Sequence, residues 1–216
     1  MAESMRHQLL GRERRRLHEA CFDAIRALAP DDYAALALHA DGAGRYDEIV
    51  EEGIRDARSQ GMLVVIAAGN DGRRAVSYPS AYAGATTVTA FGIEGTFPPG
   101  ALEESEVLRP PDGADPADFL AACSNIGPQV RMTAPGVGIL STLPQDRFGP
   151  MTGTSMAAPA ITGATACLLS RTPAVRTMPR DRARSDAIEQ LVQSACVERR
   201  FGQVYEGYGL PDPATI

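Results

Sequence analysis

Apolar residues along the chain fall into two rhythms. Leu17, Cys21, Ala24, Ile25 and Leu28 recur at helical spacing and predict a helix over 17–28. Ile49, Val50, Ile54 and Ala57 do the same over 46–60, and Ala187, Ile188, Leu191, Val192 and Ala195 over 183–196. A further helix is expected from about Thr154 to Leu169. Between the helices lie continuous apolar runs: YAALAL (Tyr33 to Leu38), MLVVIAA (Met62 to Ala68) and the strand-like ATTVTAFG (Ala85 to Gly92). Unbroken apolar strands fit a parallel sheet buried on both faces. Helices alternating with such strands predict an α/β fold, a mainly parallel sheet flanked by helices. Residues 1–16 read as an N-terminal extension, and 94–120 lack periodicity and read as a surface insertion within a single domain.

Composition narrows the chemistry. The chain has 216 residues, enough for a domain with a sizeable core. Its 21 basic residues against 27 acidic ones leave a net charge of −6, which argues against a general nucleic-acid surface. All 21 are Arg, since the sequence holds no Lys, and this excludes Schiff-base, Walker-type and Ser–Lys chemistry. Three His (His7, His18, His39) offer little to a metal site, and neither a metal nor another cofactor is expected. The four Cys are widely spaced without a CxxC pair and read as buried free thiols. The N-terminus is polar, with no apolar leader segment. The longest uncharged stretch, Phe148 to Ser170, is broken by Gly and Pro and reads as a loop entering a buried helix rather than a membrane span. Localisation stays open.

Two positions carry candidate chemistry. Asn70 follows the strand 62–68 in a Gly-flanked turn, where its amide can donate into a cleft at the carboxyl end of the sheet. A turn Asn in a left-handed conformation is the plainer reading of that residue alone. Ser155 lies in the first turn of the helix from 154, near free backbone N–H groups and the positive helix end. A helix-capping Ser or Thr is the plainer reading there.

The blocks around these positions occur in one order: AAGNDG, SYPSAY, SNIGPQVRMTAPG, GPMTGTSMAAP and EGYGLPDPA. Together they resemble the subtilisin-like serine proteases (subtilases), from about residue 17 to the C-terminus. The resemblance implies part of a subtilisin-like three-layer fold and peptide-bond hydrolysis. It implies Ser155 of GTSMA as nucleophile and Asn70 of AAGN as oxyanion donor, with the Ser155 N–H as second donor. Ala67, Ala68, Gly69 and Ser77 are implied as walls of the pocket for the substrate side chain. The strand ending at Leu38 and His39 is implied as the edge that pairs with substrate backbone. A peptide or protein would be the partner.

The departures from the family pattern are as informative. The family orders its triad Asp, His, Ser, and neither an Asp-(Thr/Ser)-Gly nor an HGT motif occurs in this sequence. His39 and Ala40 replace two glycines at the substrate edge, and Ala160 follows Pro159 where the family has a His. A Ser hydroxyl is a poor nucleophile without a base. Figures measured on a subtilase itself put the loss of His or Ser at roughly 10⁶ in turnover, leaving about 10³–10⁴ over water. Ser155 and Asn70 alone therefore predict negligible peptidase activity. Three readings stay open: half of a protease completed by a second chain with the Asp and His, a pseudoprotease that binds peptides without cutting, or a truncated gene product. His39, two residues before Asp41, is a candidate surrogate base, against the plainer reading of a loop His. Without the strands that bear Asp and His, strand 33–38 would also lack a neighbour on its outer edge.

Overall fold

A computed structural model describes residues 35–38 and 46–215. In chain order its elements are β1 (Ala35–Leu38), α1 (Glu48–Ser59), β2 (Leu63–Ala67), β3 (Ala85–Ile93), β4 (Val107–Asp112), β5 (Asp118–Ala121), β6 (Val130–Pro135), β7 (Ile139–Leu143), β8 (Arg147–Met151), α2 (Thr154–Arg171), α3 (Pro173–Arg176), α4 (Arg182–Ser194), β9 (Cys196–Val197), α5 (Gln203–Glu206) and β10 (Leu210–Pro211). A 3₁₀ turn, Leu102–Glu106, precedes β4.

Six strands form the main sheet. β1, β2, β3 and β6 run parallel, with Leu38 opposite Ile66 and Ala67 opposite Val88. β3 changes partners along its nine residues. β2 lies beside its first half, β6 along its middle, and antiparallel β5 beside Phe91–Ile93. β4 ends the sheet next to β5, where Pro110 and Pro111 cost no ladder bonds. At the other end β1 pairs with β2 alone among the described residues.

The alternation within β2 shows why the sheet is buried twice. Leu63, Val65 and Ala67 face one way, in a core with Val88, Met132, Ala157, Ile161, Leu168 and, from α4, Ile188 and Val192. Val64 and Ile66 face the other way, against Ile54 and Ala57 of α1 and the Tyr82 ring. The result is helix, sheet, helix: three layers, with a mostly parallel sheet in the middle. Arg58 of α1 is 2% exposed, and its guanidinium reaches Asp186 and Glu189 of α4, both at 2.7 Å. It ties two helices that the sheet alone would not connect. No helix among the described residues is long and apolar enough to cross a membrane.

Predicted and observed elements agree within about two residues for α1, β2, β3, α2 and α4, and β1 covers the end of the predicted strand 33–38. Helix 17–28 and His39 lie outside the described residues. The structure corrects three expectations. The segment 94–120 is not irregular throughout: it contains β4 and the start of β5, whose four residues are all buried. Tertiary pairing with β3 supplies what its weak periodicity did not announce. The residues before α2 are not loop but a hairpin, β7 with β8, whose outer side leaves Leu140 and Phe148 exposed. The described thiols are free, but Cys167 is exposed and Cys123 and Cys196 only half-buried.

Candidate active site

The parallel strands bring their carboxyl ends to one edge of the sheet. Leu38 ends β1 there beside Ile66, and the chain leaving β2 turns sharply through Gly69, Asn70 and Asp71. The N-terminus of α2 meets this turn. Gly153, the residue before α2, donates its N–H to the carbonyl of Gly136 at 2.8 Å. Gly136 must be glycine for this approach, because a Cβ there would sit 2.6 Å from the Ala90 methyl and 2.8 Å from the Gly153 carbonyl. The two glycines of the TAPG and GTS blocks thus let the chain lie against the sheet before the helix begins.

Helix α2 has no side-chain cap of its own. Asn70 supplies one from the turn: its Oδ1 accepts from the Thr154 N–H at 2.9 Å and from the Thr154 hydroxyl at 3.1 Å. The same hydroxyl accepts from the Gly69 N–H at 3.2 Å. Two donors on Oδ1 fix which end of the amide faces the helix, so Nδ2 is the end left to face elsewhere. Asn70 is exposed, and a Cβ on Gly153 would meet its Nδ2 at 3.2 Å, so this donor lies beside the helix start. Ser155, half-buried, is the second residue of α2. Asn70, with its amide oxygen pinned, and Ser155 thus belong to the positive end of an 18-residue helix. Such a place favours negative charge developing on an oxygen.

The other sequence-assigned positions divide. Gly69 (φ +102°) and half-buried Ser77 flank the turn. Ser77 holds the following bend through its carbonyl, which accepts from Ala81 N–H at 3.0 Å and Ser80 Oγ at 2.8 Å. Ala67 and Ala68 are 2% and 0% exposed, with methyls in core clusters, so that they could face a pocket only through their backbone. His7, His18 and His39 all lie outside the described residues. Among the described residues no three His, Cys, Asp or Glu side chains converge to hold a metal ion.

Sequence reasoning missed two members of this site. Thr154 is fully buried and aims Asn70. Asn125, also fully buried, receives the Asp71 N–H on its Oδ1 at 2.9 Å and gives its Nδ2 to the Asp71 carboxylate at 2.7 Å. Both stand inside blocks already noted, GTSMA and SNIG, but a polar residue in a motif does not say which partner folding will bring.

A family model, the subtilase family, matches residues 26–209. This chain belongs to the subtilases. The Major intracellular serine protease of Bacillus subtilis is 33% identical over 149 residues, which are 67% of this chain and 39% of that protein. Subtilisin-like protease 10 of Arthroderma otae is 35% identical over 127 residues, 59% of this chain and 27% of its own length. Subtilisin BL of Lederbergia lenta is 32% identical over 124 residues, 57% and 38% respectively. This subtilase chain therefore spans well under half the length of these curated relatives.

Proposed function

We propose that this subtilase chain carries the nucleophile and the oxyanion donor of a serine endopeptidase, Ser155 and Asn70, with a peptide or protein as substrate. The observation that carries the reading is the pinning of Asn70 Oδ1 by Thr154, which leaves Nδ2 as a donor beside the start of α2. Ser155 Oγ would attack the scissile carbonyl, and Nδ2 with the Ser155 N–H would receive the charge that forms on its oxygen. The Ser155 proton needs a base, and the sequence has neither the HGT nor the Asp-(Thr/Ser)-Gly motif. The Asp and His are assigned to polypeptide outside this sequence, and the chain alone is inactive. Gly69 and Ser77 border the pocket for the substrate side chain, and the Leu38 end of β1 offers backbone to the peptide.

Labelling of Ser155 with a fluorophosphonate, located by mass spectrometry, tests this. The chain alone should stay unlabelled. Mixed with a polypeptide bearing the two missing motifs, it should be labelled at Ser155 and should cleave a peptide. No labelling in the mixture, with peptide binding retained, would overturn the endopeptidase reading in favour of a peptide-binding pseudoprotease. Labelling of the chain alone that disappears in His39→Ala would instead make His39 the base.

A further inference from the structure

We infer that Asn125 is a positioning residue for the oxyanion donor: it sets the backbone on both sides of Asn70, so that the Asn70 amide arrives beside Ser155 already aimed. The inference rests on the endopeptidase reading above. Asn125 lies just after β5, 55 positions downstream of Asn70, and is 0% exposed. Its backbone N–H donates to the Gly69 carbonyl at 2.8 Å. Its side chain turns both ends to Asp71, receiving the backbone N–H on Oδ1 and donating from Nδ2 to the carboxylate. Gly69 and Asp71, the two neighbours of Asn70, are thus held by one buried residue. A Cβ on Gly69 would stand 2.5 Å from Asn125 Nδ2, so the close approach also requires the glycine.

The anchor behind Asn125 is firm. Ser124 Oγ accepts from the Ala90 N–H in the middle of β3 at 3.2 Å. The carbonyls of Cys123 and Ser124 accept from Gly72 and Arg73 N–H at 3.0 and 3.1 Å. The turn is therefore referenced to the central strand of the sheet through residues 123–125, and the Asn70 side chain to α2 through Thr154. Asp71 itself is exposed, where water competes for its carboxylate and a hydrogen bond adds little to stability. A charge-assisted bond is short and directional even there, which suits a residue that holds a geometry.

The test exchanges the pair. Asn125→Asp sets two carboxylates against each other, whereas Asn125→Asp with Asp71→Asn restores a donor facing an acceptor, now with the charge buried on the other side. Side-chain amide signals and χ1 couplings of Asn70 are read by NMR on the full chain. A single rotamer is expected in the native protein, averaging in Asn125→Asp, and the single rotamer again in the exchanged pair. Asp71→Ala, at an exposed position, should show the same averaging should Asn125→Asp fold poorly. In the protein mixed with its complementing polypeptide, Asn125→Asp should lower kcat on the order of 10- to 100-fold at little change in KM, and the exchanged pair should recover it. An Asn70 that keeps one rotamer in Asp71→Ala, or an exchanged pair that regains thermal stability without regaining the Asn70 rotamer, would overturn the inference. A native mixture without turnover would refute the endopeptidase reading, while the NMR comparison would still decide the role of Asn125.

Discussion

Replacing Thr154 by Val keeps the shape of a fully buried side chain and removes one oxygen. That oxygen accepts from Gly69 N–H at 3.2 Å and donates to Asn70 Oδ1 at 3.1 Å. Each neutral bond contributes about 1 kcal/mol, and the added methyl returns about 0.8 kcal/mol. The half-buried Gly69 N–H is left without that acceptor, which adds up to about 1 kcal/mol. A net loss of about 1–2 kcal/mol corresponds to a Tm lower by roughly 2–8 °C in a domain of this size. Thr154→Ser keeps the oxygen and deletes a methyl, at about 1 kcal/mol, so the two variants are of similar stability. They part at Asn70. In Val the amide is held by the 154 N–H alone and can pivot, whereas Ser retains both donors. Removal of an oxyanion donor costs about 10²–10³ in turnover, a figure measured on a subtilisin, and a loosened one is expected to cost about 10-fold. Fluorophosphonate labelling rates of Ser155 in the complemented protein, beside thermal unfolding of each variant, provide the measurement. Equal labelling rates in Val and Ser, or a Val variant as stable as the native chain, would refute the reasoning.

Arg58→Met should destabilise the fold by about 1–3 kcal/mol at neutral pH, less than for a fully buried pair because Asp186 and Glu189 reach water. The hydrogen bond from Arg182 first, and that from Arg58 after it, hold the Asp186 carboxyl below its usual range. This contribution is present above the ordinary carboxylate pKa of about 3.9 and lost as pH falls through the lower folded value. Urea titrations should therefore show the gap between native and Arg58→Met narrowing below about pH 4, and a gap constant to pH 2 would contradict the ion pair's role. Burial raises the thiols of Cys123 and Cys196 to about 12, helped at Cys123 by Glu106. At pH 8 each holds only about 10⁻⁴ thiolate. Iodoacetamide should therefore modify exposed Cys167 well before either, and equal labelling of the three by mass spectrometry would contradict that order.

Much of this molecule was legible from residue order alone. A continuous apolar run such as Leu63–Ala67, rich in β-branched residues and bounded by Gly61 and Gly69, fits a strand covered on both faces, and the 3.6-residue spacing in α1 and α4 needs no distant partner to be recognised. Gly69 and Asn70 beside a strand end and the hydroxyls of GTSMA at a helix start had local meaning as a turn and a helix cap, and only the order of the blocks around them pointed to a candidate site. What has no local meaning stayed hidden. Asp118–Ala121 carries an acid and no clear rhythm, and becomes a buried strand only because β3 extends far enough to pair with it and Arg199 reaches Asp118 at 2.5 Å. Arg58 reads as one more surface charge on a polar helix face until α4 brings two carboxylates to it.

The local settings of Asn70 and Ser155 were thus determined by the sequence, because their neighbours in the chain dictate the turn and the helix they occupy. The direction in which the Asn70 amide points was decided by tertiary structure. Thr154 lies 84 residues from Asn70 and Asn125 lies 54 from Asp71. Hydrogen bonds over such separations form only after the parallel sheet has carried its strand ends to one edge and α2 has packed across them. An amide in a turn can face any way, and it is the packed sheet and helix that leave it one.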